Sequence, residues 1–121
     1  MKLDHTGIDT VKTDLNLLDD TMKEYGLERG EHWDYERVTY DRKFEINEGV
    51  YYLRIFGVAT EGDVGANKAT IQLLTPLLGK HYYPHGVEYG QDEVFPDDLV
   101  KQCEKILKNV KSQLDEFLPT K

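Results

Sequence analysis

Apolar residues near the start of the chain, Ile8, Val11, Leu15, Leu18, Met22 and Tyr25, are spaced alternately three and four apart. At 3.6 residues per turn this spacing forms one stripe, so it predicts a helix over this stretch. Asp9 or Thr6 would cap its start, and Gly26 would stop it. The stripe is too short for a free-standing coiled coil and predicts a helix packed on a sheet.

The period then changes to two. Val38, Tyr40, Phe44 and Ile46 alternate with Thr39, Asp41, Lys43 and Glu45, which predicts a half-buried strand. Asn47-Glu48-Gly49 marks a turn. Val50 to Ala59 is apolar on both faces and predicts a central strand. Glu61 to Asn67 reads as a turn with two glycines. Lys68 to Thr75 reads as a third strand, and Pro76 and Gly79 bracket the break that follows. Short strands are expected at His32 to Tyr35 and Lys80 to Tyr83. From Leu99 to Leu118 the helical stripe returns, with Pro96 before its first turn and Pro119 at its end. Consecutive strands with short turns imply antiparallel pairing. The expected fold is therefore α+β: an antiparallel meander of about five strands, with an N-terminal and a C-terminal helix packed on one face.

The chain has 121 residues, the size of a single domain over 1–121. Fifteen basic against 23 acidic residues give a net charge of −8, which argues against nucleic acid or an anionic membrane as partner. The longest apolar runs are far too short to span a bilayer, and the first residues lack a secretory h-region. One cysteine, Cys103, supplies neither an internal disulfide nor a thiolate metal site, and a cytoplasmic protein is expected.

Candidate chemistry is sparse. His81 and His85 are four apart, a metal-binding spacing on a helix. Across Tyr82-Tyr83-Pro84 an extended chain would hold them about 13 Å apart, so no metal and no cofactor are expected. Cys103 falls on the apolar stripe of the second helix, as a core residue does. Five carboxylates between Glu88 and Asp98 are explained by a helix start, where the dipole favours anions. No catalytic motif is found. Arg54 lies within the most apolar strand and needs a carboxylate or solvent, with Asp34 and Asp41 as the plausible partners. Eight tyrosines and one tryptophan are dense for this length; they suit either plain sheet packing or a binding surface.

Three segments together resemble the YugN-like family. They are His32-Trp33-Asp34-Tyr35-Glu36 with Tyr40-Asp41-Arg42-Lys43, then Val50-Tyr51-Tyr52-Leu53-Arg54-Ile55, then Thr75-Pro76-Leu77-Leu78 with His81, Tyr82 and Gly86. The stretch from Val87 to Phe95 is shorter than the polar insert usual before the family's last helix. The resemblance implies a small cytosolic protein of bacilli with helices on a curved antiparallel sheet, and it implies no activity. It marks Trp33, Asp34, Tyr35, Arg54, His81 and Tyr82 as a candidate ligand-binding surface. The expected function is a non-enzymatic binding or interaction module using an aromatic sheet surface, with a protein or a small molecule as partner and a homodimer as one form. The alternative is a small ligand-binding protein or enzyme with a pocket around Trp33, Asp34, Arg54 and His81.

Overall fold

The computed structural model describes residues 1–30, 36–66, 68–82, 86–88 and 95–116, with 82 and 86–88 as backbone only. Its strands and helices, in chain order, are β1 (Lys12–Asp14), α1 (Leu15–Glu24), β2 (Glu28–Arg29), β3 (Arg37–Ile46), β4 (Gly49–Asp63), β5 (Lys68–Leu73), β6 (Leu77–Tyr82), β7 (Gly86–Glu88) and α2 (Asp97–Asp115). The apolar strand expected at Val50 is the axis of the sheet. One edge of β4 pairs with β3 in unbroken register, from Arg37 opposite Val58 to Ile46 opposite Gly49. Its other edge is shared: β6 pairs with Val50 to Arg54, and β5 pairs with Gly57 to Asp63. All pairings are antiparallel, β1 joins the free edge of β5, and β2 lies outside β3. β3, β4 and β5 form the expected meander, while β6 returns to the unused half of β4. The sheet stays open.

Alternation sorts the side chains into two faces. Val38, Tyr40, Phe44, Tyr51, Leu53, Ile55, Ile71, Leu73 and Leu78 share the inner face and are buried. Both helices cover this face. Leu15, Leu18 and Met22 of α1 and Leu99, Cys103, Leu107, Val110 and Leu114 of α2 belong to the same core. Gly57 is an inner-face position where a Cβ would stand 2.5 Å from Ile71 Cγ2 and 3.2 Å from Val38 Cγ1. A bare backbone there lets β3, β4 and β5 close over the core.

The first helix is shorter than its stripe. Ile8–Thr10 is a 3-10 turn and Lys12–Asp14 is strand β1, so α1 begins only at Leu15. Ile8 and Val11 are still buried, because apolar residues three apart serve a folded-back segment as well as a helix. Two interactions decide the boundary. Lys12–Asp14 takes its backbone partners from β5. The Asp14 carboxylate, not Asp9 or Thr6, accepts hydrogen bonds from the Asn16 and Leu17 N–H groups at 3.0 and 3.4 Å. At the other end Gly26 does stop the helix, at φ 74°. Its N–H donates to the Lys23 carbonyl and the Leu27 N–H to the Met22 carbonyl, which is a Schellman closure.

Two further boundaries differ from expectation, and one strand was not expected. β4 runs on to Asp63 through an irregularity between Ala59 and Glu61, where a turn was expected. Gly79 lies inside β6 opposite Tyr52 rather than in a break. The unexpected strand is Glu28–Arg29; the one expected at His32 to Tyr35 lies outside the described residues.

Candidate functional site

The face of the sheet turned away from the helices carries an unusual set of side chains. Tyr52, Arg54, Phe56 and Val58 project from β4 on this side, between Thr39, Asp41 and Lys43 of β3 and Leu77 and His81 of β6. The four β4 side chains are half-buried. Arg54 sits directly opposite Asp41. Its Nε donates to Asp41 Oδ1 at 2.7 Å and its Nη2 to Oδ2 at 2.9 Å, a two-pronged pair at the centre of the face. The side chains are 34% and 28% exposed, so water screens the pair in part. The His81 ring meets Tyr52 edge-on, with centroids 6.2 Å apart.

Beyond Phe56 the face opens into a groove of about 790 Å3, where β5 and β6 diverge from their shared edge on β4. Phe56, Leu73, Leu74 and Leu77 line it, with Gln72, Thr75, Lys2, Asp9 and Thr10 at its rim. Leu74, 42% exposed, is one of two large apolar side chains exposed among the described residues. The walls are fixed on both sides. Met1–Leu3 is tied to the start of β6 through Leu78 N–H to the Met1 carbonyl and Leu3 N–H to the Pro76 carbonyl. The Gln72 amide donates to the carbonyls of Asp9 and Val11, at 2.9 and 3.1 Å, holding the 3-10 turn against β5.

Charge on this face is close to balance. Among the described residues, register puts Lys12, Arg37, Lys43, Arg54 and Lys68 on it, against Asp14, Glu28, Asp41, Glu45, Glu61 and Asp63. With five basic and six acidic residues it carries little of the chain's net charge of −8.

Of the six residues expected to form a ligand surface, Arg54 and His81 do lie on this face. They do not converge: His81 is opposite Val50, four residues along β4 from Arg54, or about 13 Å of strand. Tyr82 belongs to β6, and its side chain is not described. Trp33, Asp34 and Tyr35 lie outside the described residues, as does His85. Among the described residues no three His, Cys, Asp or Glu side chains are grouped to hold a metal ion. Of the two partners expected for Arg54, Asp41 does pair with it, and Asp34 lies outside the described residues. Cys103 is fully buried in the core, and burial pushes its thiol up to about 12, so it is no nucleophile. Phe56 and Leu74 were missing from the expected site. A signal for Phe56 was present: once Leu53 and Ile55 point inward, alternation sends Phe56 outward. Nothing local announces Leu74, because the groove comes from the parting of β5 and β6.

The comparisons agree with this architecture. The YugN-like family model matches residues 5–116. An uncharacterised protein of Bacillus subtilis strain 168, YlbA, is 53% identical over 114 residues, covering 94% of this chain and 95% of its own. The crystal structure of the uncharacterised conserved protein YugN from Geobacillus kaustophilus HTA426 superposes with a TM-score of 0.83 at 52% identity, covering 96% of each chain. No helix among the described residues is long and apolar enough to cross a membrane.

Proposed function

The chain belongs to the YugN-like family, and from that premise we propose that it works as an interaction module rather than an enzyme, receiving a second copy of itself on the open face of its sheet. The make-up of that face supports this. Two chains that each carry −8 repel one another over most of their surface. On the open face the charges of the described residues nearly cancel, so little repulsion comes from them. The same face is where Phe56, Leu74 and Leu77 offer apolar contact beside the Arg54–Asp41 pair. Half-buried aromatic and aliphatic side chains with a polar surround are the usual make-up of a protein contact. A cytosolic setting is part of the proposal, supported by a single cysteine held as a buried thiol.

Sedimentation velocity tests it. The wild-type protein is expected to move from monomer to dimer as its concentration rises into the hundred-micromolar range, roughly the strength of a weak, standard-sized interface. Leu74→Glu places a charge on an exposed side chain and leaves the core alone, so the variant is expected to stay folded and monomeric. A wild-type chain that remains monomeric throughout, or a Leu74→Glu variant that dimerises equally well, would overturn the proposal.

A further inference from the structure

A second recess lies at the opposite edge of the sheet, where the two-residue β2 ends and β3 continues without it. It has a volume of about 560 Å3, within the range typical of small-ligand sites. Arg29, Arg42, Lys43 and Tyr52 line it, together with Glu28 and Asp41.

Most of its charges are already balanced. Asp41 gives both oxygens to Arg54. Arg29 faces Asp19 at 3.3 Å, and Lys43 faces Glu45 at 2.9 Å. Glu28 and Arg42 are the exceptions, each in the lining without an ion pair among the described residues. The Arg42 Nη1 donates to the Tyr25 carbonyl at 2.9 Å, and its guanidinium lies 4.9 Å from the centre of the Phe44 ring. Gly26 is packed against the same side chain, with room for a Cβ only 3.3 Å from Arg42 Cδ. So a half-buried guanidinium is held in place by a carbonyl, a ring and a glycine, and no carboxylate among the described residues meets it. A guanidinium held by neutral partners keeps N–H donors that the oxygens of an anion can accept from.

We propose that this recess binds a small oxyanion, a phosphate or carboxylate group, on Arg42. The planar fork of a guanidinium presents paired N–H donors whose spacing matches two oxygens of such a group. Lys43, whose ammonium also pairs with Glu45, lines the mouth, as does Tyr52, its partner in register. Lys43 and Tyr52 also border the open face, but the centre of the site is the inner-side Arg42, away from the groove at Phe56 and Leu74.

The test is a titration of 15N-labelled protein with inorganic phosphate, with citrate, and with chloride at matched ionic strength. Protein is kept at a concentration where it sediments as one species, so association at the sheet face does not enter. Saturable shifts at the Gly26, Gly30 and Lys43 amides are expected. Response to both oxyanions marks a general site, and response to one alone names phosphate or carboxylate as the ligand chemistry. Arg42→Gln is expected to weaken binding roughly tenfold or more, the weight of a charge-assisted hydrogen bond. Lys43→Gln, on an exposed side chain, is expected to weaken it less and leave the fold unchanged. If Arg42→Gln does not fold, Lys43→Gln decides alone. Shifts no different from those with chloride, or variants that bind as tightly as wild type, would overturn the proposal.

Discussion

Arg54 shows how one charged residue sits in the most apolar strand of the molecule. Alternation turns it outward, and register sets Asp41 exactly across from it. Since about a third of each side chain remains in water, neither charge is stranded when the other is removed. Arg54→Leu is therefore expected to cost only about 1 kcal/mol in urea unfolding, the scale of a well-formed but screened pair. A loss of several kcal/mol would mean that the carboxylate is buried after all.

His5 carries a different message. Its ring contacts the Glu104 carboxylate on α2, and that hydrogen bond raises its pKa above 6.5, with Asp4 adding to the effect. A folded-state pKa above the unfolded value favours the native state most fully below the unfolded value. The gain fades as pH rises through the folded value. Wild type is thus expected to melt higher than His5→Gln at about pH 5.5, with the gap closing by about pH 8.5. A gap that is constant with pH would remove the ion pair as its cause.

Among the elements, α2 was legible almost whole. Its stripe is long, it repeats at helical spacing throughout, and Leu99, Cys103, Ile106, Leu107, Val110 and Leu114 are the residues it buries. The Val38 strand was equally plain, because strict alternation allows one reading. The start of α1 was not. Ile8 and Val11 fit a helical stripe, yet their neighbours bond to β5, which lies some sixty residues away in the chain. The division of β4 between β5 and β6 is non-local in the same way, and so is the groove it creates. Within the candidate site, the link between Arg54 and Asp41 could be foreseen from charge and apolar context. Alternation also puts Arg42 on the inner face with Tyr40 and Phe44, but its bond to the Tyr25 carbonyl could not be foreseen, since it depends on where the end of α1 lies over the sheet. The boundary of α1 is itself testable. If Asp14 rather than Asp9 caps the helix, Asp14→Ala should cost about 1 kcal/mol and Asp9→Ala close to nothing, as read by thermal unfolding. The reverse order would restore the longer helix.

For the whole molecule, the surplus of acid and the open sheet face belong together. Both helices lie on one side and make the core with the inner face. On the other side, among the described residues, no helix covers the strands and the charges are nearly matched. A face of this kind leaves the chain soluble through its remaining surface while permitting contact at one place. The measurement that reaches this claim most directly is an isotope-filtered NOE experiment on an equal mixture of labelled and unlabelled chains at high concentration. Intermolecular NOEs are expected at Phe56, Leu74 and Leu77. NOEs confined to the outer surfaces of α1 and α2, or none from the sheet face, would contradict it.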